Sequence, residues 1–381
     1  MSTKSPFLEV LDLIKENGGE ALSQCFQCGT CSATCPWQDY VSFLPRKMLL
    51  EARLGLTDFD SSDIWRCVTC NKCVQRCPRG VPIIDFMRSL RRAVTSLGIA
   101  EVPVALSGTL RNLTATGNPM GEAQEKRNDW ADGLGIKQFD VETEYLFFPC
   151  CVTAYDPTQK NSVRMIADIL LKAGINFGIL DGLNCCGESV RKCGDEALFQ
   201  SLVKGNMSAI STHKVTKIIV NSPHCYQAFK NDYPDFGAGF EIIHTTQLLS
   251  TLITGGRLTF TKPINGRIVY HDPCYLGRHN NVYDEPRTII KSLPGTELVE
   301  MQGYGPDSLC CGGGGARIWL ETPKNERFSD TRLQQALASG ANKLVTSCPY
   351  CLSNLRDSKL NHALPEDFVI LDINELVAEA L

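Results

Sequence analysis

The order of apolar and polar residues divides the chain into regions of different kind. In "VPIIDFMRSLRRAVTSLG", residues 81–98, apolar side chains recur at helical spacing, a proline stands near the start and a glycine closes the run. That pattern predicts a helix. "LPRKMLLEARLGL", residues 44–56, has the same periodicity, and the opening "MSTKSPFLEVLDLIKENGG" reads as a short amphipathic helix. Residues 1–98 are therefore expected to be helical. From residue 144 onward the pattern changes. Short apolar runs ("YLFF", "KIIV", "RIVY", "KLVT") alternate with helical stretches ("MIADILLKAG", "ALFQSLVKGNMSAI", "FSDTRLQQALASG"). Such alternation predicts α/β units built on parallel sheets. Residues 99–143 carry Gly, Asn and Pro breaks around one short helical piece, "GEAQEKRNDWADGL", and read as a strap without chemistry.

The α/β part contains one unit twice. "YLFFPCCVTAYDP" is matched by "RIVYHDPCYLGRH", "DGLNCCGESVRKCG" by "PDSLCCGGGGARIW", and "KIIVNSPHCYQAF" by "KLVTSCPYCLSNL". The separations are 123 residues from Cys151 to Cys274, 125 from Cys186 to Cys311 and 126 from Cys225 to Cys351. Three motifs kept in order at nearly one offset define a repeat. The expected units are 144–262 and 263–381. Their cysteines fall where strands end, the side on which open α/β sheets bind ligands.

Composition now narrows the chemistry. The 381 residues are 43% hydrophobic, with a net charge of -4 and a pI near 5.9, so no basic stripe argues for nucleic acid. No apolar run reaches the ~18–20 residues that span a bilayer. The N-terminus lacks the basic end and long apolar core of an export signal, which predicts a cytoplasmic protein that meets a membrane only through a partner. Nineteen cysteines in tight clusters then point to metal thiolates rather than disulfides. There is no Walker loop, and "CGGGGAR" lacks dinucleotide-binding spacing. The expectation is no bound flavin or nicotinamide, with electrons exchanged through another subunit.

Residues 25–36, "CFQCGTCSATCP", and 67–78, "CVTCNKCVQRCP", both read C-x2-C-x2-C-x3-C-P. This is the bacterial ferredoxin spacing, in which the fourth thiolate serves the other cluster. The crossing assigns Cys25, Cys28, Cys31 and Cys77 to one [4Fe-4S] cubane. Cys67, Cys70, Cys73 and Cys35 go to the second. In the second repeat, Cys274, Cys310, Cys311, Cys348 and Cys351 converge from three loops, and five soft thiolates suit iron–sulfur. Adjacent Cys310 and Cys311 can serve two irons if the backbone bends sharply, and the glycines after them permit that bend. Low steric cover there would let a substrate sulfur approach. His271, three residues before Cys274, is a candidate proton donor or a hydrogen-bonding support for the loop, and His224 beside Cys225 is read the same way. Arg278 and His279 read as a solvated loop, with contact to an anionic substrate or a partner as the alternative.

These motifs resemble the cysteine-rich domains of heterodisulfide reductases. Two ferredoxin motifs ahead of two C-x(~35)-CCG-x(~36)-C-x2-C units resemble that family's fused subunit and its bacterial relatives. Similar layouts occur in iron–sulfur subunits of glycolate, lactate and anaerobic glycerol-3-phosphate dehydrogenases, in membrane redox complexes of sulfate reducers and in the electron-feeding part of tungsten benzoyl-CoA reductase. The resemblance implies an α plus α/β architecture: a helical two-cluster domain over 1–98, a linker over 99–143, and two pseudo-twofold, Rossmann-like domains. It implies a noncubane [4Fe-4S] cluster in the second repeat. It also implies a hetero-oligomer with a flavoprotein, a ferredoxin-like protein or a membrane cytochrome. Two roles stay open: an electron relay, or disulfide cleavage at Cys310 and Cys311. The first repeat departs from the pattern, because Ser222 stands where a cysteine belongs. Cys151, Cys185, Cys186 and Cys225 remain and could hold a cubane, an altered cluster or nothing. Cys150 and Cys193 are further thiols without an assigned use.

Overall fold

The computed structural model describes residues 6–7 and 9–381; six residues of the N-terminal stretch read as a helix, 1–5 and 8, lie outside it. The described residues form two compact units. The first comprises residues up to 108 together with 189–199 and 312–328, and the second comprises 109–188, 200–311 and 329–381.

The first unit is helical, as the periodicity of its sequence predicts. Helices Glu9–Ile14, Pro45–Arg53 and Ile83–Leu97 frame it. The last starts after Pro82 and ends at Gly98, whose φ of 63° is the left-handed cap that glycine adopts without strain. Its buried face carries Ile84, Phe86, Met87, Leu90 and Val94. It also buries Arg91, which is fully enclosed. The Arg91 guanidinium donates to the carbonyls of Ile64 (2.8 Å), Cys67 (2.8 Å), Lys192 (3.0 Å) and Gly315 (2.9 Å). Its position explains why segments distant in sequence belong to this unit: they supply acceptors that one cation satisfies. Arg92–Glu196 (2.6 Å), Arg66–Glu326 (2.8 Å) and Trp37 packed on Phe328 tie the same segments in.

The second unit contains two four-stranded sheets of identical order. Strands β1 (Tyr145–Phe148), β2 (Phe177–Gly178), β3 (Lys217–Val220) and β4 (Glu241–His244) run in the order β2-β1-β3-β4. Strands β5 (Gly266–Tyr270), β6 (Thr296–Val299), β7 (Lys343–Thr346) and β8 (Val369–Asp372) run β6-β5-β7-β8. All pairings are parallel. Leu146, Phe147 and Phe148 of β1 and Ile218, Ile219 and Val220 of β3 are fully buried, as parallel strands covered on both faces require. Each such side chain contributes roughly 1.5–3 kcal/mol. The four strands read from sequence are the two central ones of each sheet. β2, β4, β6 and β8 are the edge strands; β4 (EIIH) and β6 (TELV) are half polar and β2 is only two residues long, so the pattern of the sequence does not single them out.

The stretch 99–143 is more than a strap. It holds helix Val104–Thr116 and a 3-10 helix, Gln124–Ala131, that buries Arg127 and Trp130. Trp130 packs edge-on to Phe147, with ring centroids 5.5 Å apart. No helix among the described residues is long and apolar enough to cross a membrane.

Candidate functional site

In the first unit the two cysteine runs fold alike. Each places two residues at positive φ, Gln27 and Gly29 in the first and Thr69 and Asn71 in the second. Gly29 and Asn71 each open a single-turn helix, Thr30–Ala33 and Lys72–Gln75. These reversals curl each run around a hollow. One hollow is lined by Cys25, Cys28, Cys31 and, from the other run, Cys77. A second is lined by Cys67, Cys70, Cys73 and, from the first run, Cys35. Main-chain amides point at the sulfurs: Thr69 N–H to Cys67 Sγ (3.4 Å) and Val81 N–H to Cys77 Sγ (3.3 Å). Burial, then repulsion from neighbouring thiolates, pushes Cys31, Cys35 and Cys73 above the ordinary thiol range. Crowded thiols of this kind ionise together only around a cation. The residues therefore fit a metal cluster.

The glycine run belongs to this unit. Gly312 and Gly315 have φ of 95° and 61°. A Cβ at Gly315 would lie 2.4 Å from the Cys67 carbonyl oxygen. Gly313, Gly314 and Gly315 are buried, so the run lets two backbones meet and does not form the open face expected beside the thiols.

In the second unit the second repeat brings its five cysteines together. Cys274 follows β5, and its Sγ lies 3.8 Å from that of Cys310. Cys311 is hydrogen-bonded to Cys310 and Cys351, and Cys351 to Cys348. Cys348 is the N-cap of helix Pro349–Leu360, and its side chain makes no capping bond. A ring nitrogen of His271 and the sulfurs of Cys311 and Cys351 lie within 4.8 Å of one another. His271 is enclosed; burial, then the charge of Arg332, lowers it to about 3, so it is a neutral imidazole. Arg332 donates to its Nδ1 (3.2 Å), which leaves the proton on Nε2. Arg278 is not on a solvated loop. It is 3% exposed and donates to the carbonyls of Pro306 (3.1 Å) and Ser308 (2.6 Å), anchoring the chain that enters Cys310. His279 is half-buried and stacks on Tyr275 at 4.3 Å.

The first repeat also gathers five thiols. Cys151 contacts Cys185, Cys185 contacts Cys186, Cys186 contacts Cys225, and Cys225 contacts Cys150. Cys193 lies in the first unit, where its carbonyl accepts from Thr95 (2.9 Å). Hydrogen bonds from Cys185 and Cys225 hold Cys186 below the ordinary thiol value, while Cys151 and Cys225 sit well above it. Arg127, which the sequence did not single out, donates to Cys151 Sγ (3.4 Å) and to the Pro149 carbonyl (2.8 Å). His224 joins the two repeats. Its Nδ1 bonds Glu188 (3.0 Å), its ring lies 4.2 Å from Tyr275 and 4.3 Å from Tyr350, and it hydrogen-bonds Cys348. Burial opposes its protonation, but Glu188 and Cys348 outweigh that and raise it to about 10.

Two clefts of four cysteines and two buried five-thiol sets at parallel-strand ends define an iron–sulfur redox protein. Comparison with known proteins agrees. A model described as a 4Fe-4S dicluster domain matches residues 21–81, and one described as a cysteine-rich domain matches 145–230 and 268–356. The chain belongs to the family that joins these domains, which includes the corresponding subunit of heterodisulfide reductases and related iron–sulfur oxidoreductases. It is 28% identical to a subunit of the dihydromethanophenazine:CoB–CoM heterodisulfide reductase of Methanosarcina barkeri, over 100% of this chain and 99% of that one. It is 33% identical to the EtfAB:quinone oxidoreductase of Syntrophomonas wolfei over 84% of this chain; that match spans 47% of the relative, about half its length. A hypothetical protein from Helicobacter pylori shares the fold, with a TM-score of 0.53 at 10% identity over 88% of this chain and 64% of that one.

Proposed function

We propose that the chain carries electrons within a multi-subunit redox complex. In this reading Cys25, Cys28, Cys31 and Cys77 hold one [4Fe-4S] cubane and Cys35, Cys67, Cys70 and Cys73 the other. Cys274, Cys310, Cys311, Cys348 and Cys351 hold a noncubane [4Fe-4S] cluster. Iron–sulfur clusters supply one-electron carriage. The chain's own residues set where electrons enter and how tightly they are held. Phe26 is 58% exposed and Cys28 is also exposed, so the first cavity offers a partner a surface to dock on. Amide donors at Cys67 and Cys77, and the neutral His271 beside Cys311 and Cys351, stabilise added electrons.

The observation that carries this reading is burial. No thiol of the second repeat is more than 7% exposed, so a disulfide has no route to sulfur unless the protein opens, whereas an electron needs none. The relative named EtfAB:quinone oxidoreductase supports a route between a flavoprotein and a quinone. A glycolate-, lactate- or glycerol-3-phosphate-type dehydrogenase is the other form of donor. The second reading, disulfide reduction at Cys310 and Cys311, is favoured by the five-thiol array with His271 against it. Chemically reduced protein, mixed anaerobically with a panel of disulfides, a flavoprotein and a quinone-reducing membrane fraction, separates the two. We expect reoxidation by the carriers alone. Fast reoxidation by a disulfide that Cys311→Ala abolishes would replace the relay with the reductase.

A further inference from the structure

We propose that the first cysteine-rich repeat is a loaded five-thiolate iron–sulfur site in which Cys150 supplies the thiol that Ser222 lacks. The proposal rests on reading these repeats as cluster sites and extends it to the repeat whose motif is broken.

The two repeats exchange residues at two places. The second has Cys348 at the start of its helix and Pro273 before Cys274; the first has Ser222 and Cys150 there. A thiol lost at one place reappears at the other, and each repeat keeps five. Ser222 serves the backbone instead. Its Oγ accepts the His224 N–H (3.3 Å) and caps the helix Pro223–Gln227. Serine is among the preferred residues there. Cys348 makes no such bond.

Cys150 is positioned for the part. Its thiol contacts Cys225, whose own neighbour is Cys186, so it closes the chain of sulfurs at the end nearest the missing ligand. Its backbone is pinned to the Ser222 turn. The Cys150 N–H donates to Asn221 Oδ1 (2.8 Å), and Asn221 Nδ2 donates to Thr153 Oγ1 (3.0 Å). Thr153 Oγ1 in turn donates to the Cys150 carbonyl (3.0 Å). This loop of bonds locks the end of β1 to the end of β3.

Arg127 points independently to an anionic occupant. Its guanidinium is 2% exposed and stands 4.6 Å from the Phe148 ring. It makes no ion pair among the described residues, and its Nε has no hydrogen-bond partner there. A buried cation without a carboxylate is costly unless something else carries the negative charge. Thiolates on a metal cluster, with Cys151 Sγ 3.4 Å away, carry it. Arg127 is thus a positioning and charge-balancing residue for this site.

The test uses the whole chain, purified anaerobically, with iron and acid-labile sulfide counted and the reduced protein followed by electron paramagnetic resonance. Cys150→Ala and Cys225→Ala are each expected to lose about four irons and one set of resonances, with the ferredoxin-type signals intact. Cys150→Ala/Ser222→Cys is expected to restore both. Cys193→Ala, outside the site, is expected to change neither. If Cys225→Ala loses iron while Cys150→Ala keeps it all, the role of Cys150 is overturned and the cluster stands. If neither loses iron, the first repeat holds no cluster and this proposal fails, while the proposed function, which draws on the other three clusters, stands; loss of the ferredoxin-type signals from the unsubstituted protein would be the result that sinks that function. Should Cys150→Ala not fold, the double variant decides: loaded protein supports the exchange, and iron-poor protein overturns it.

Discussion

Replacing Arg91 with methionine keeps a long apolar stem on the helix Ile83–Leu97 and removes the guanidinium that four carbonyls share. Those acceptors, on Ile64, Cys67, Lys192 and Gly315, lie at 2.8–3.0 Å from its nitrogens. The site is fully enclosed, so water does not replace the lost donors. A buried acceptor left unpaired costs about 1–3 kcal/mol. Four at the low end give about 4 kcal/mol, and relief from burying a charge without a carboxylate offsets part of it. A net loss of about 3 kcal/mol is a large share of a domain's ~5–15 kcal/mol. Lysine fares little better, because one ammonium cannot present the planar fork that reaches four carbonyls. Anaerobic denaturant unfolding, followed by circular dichroism and by cluster absorbance, measures the change. A loss below about 1 kcal/mol would refute the argument that this cation assembles the first unit.

Other expectations follow from the same geometry. Cys77→Ala should abolish the cluster bounded by Cys25, Cys28 and Cys31 and spare the other, and Cys35→Ala should do the reverse; iron counts with paramagnetic resonance of each variant check the crossing. Gly315→Ala must place a methyl 2.4 Å from the Cys67 carbonyl at a positive φ, so the signal of the cluster beside Cys67 should shift while that beside Cys25 stays. His244 is enclosed and lowered by burial to about 3. The unfolded chain takes up a proton near pH 6.5 that the folded chain refuses until about pH 3, so stability is present above that window and is lost as pH falls through it. Each such histidine adds a slope of about 1.4 kcal/mol per pH unit. His244→Asn keeps an acceptor for the Thr246 N–H, now held at 3.3 Å, and should flatten that slope by this amount in unfolding curves between pH 6 and 4.

What the sequence revealed follows the reach of its signals. The paired cysteine runs, the repeat and the central strands are written in local spacing, and the helix closed by Gly98 is written in periodicity. The membership of 189–199 and 312–328 in the first unit is not, because it depends on bonds from Arg91 to main-chain carbonyls. A carbonyl is present at every residue and marks no sequence. Arg127 went unseen for a related reason: it stands in a polar 3-10 turn, and only folding sets it against Cys151. Arg278 looked like a loop charge, since nothing in "LGRHNN" announces the carbonyls of Pro306 and Ser308. His224 could be flagged from its place beside Cys225, but its contact with the other repeat could not.

The interleaving of the first unit sets a limit on how such proteins can be recombined. A fragment ending at residue 108 carries all eight ferredoxin-type cysteines yet lacks the Lys192 and Gly315 carbonyls, the Glu196 and Glu326 carboxylates and the Phe328 ring. Grafting that fragment onto another electron acceptor would leave Arg91, Arg92 and Arg66 without these partners. The two-cluster module is thus not portable by itself: a natural or engineered exchange must carry the two short return segments with it, and the lineages of the three pieces are bound together.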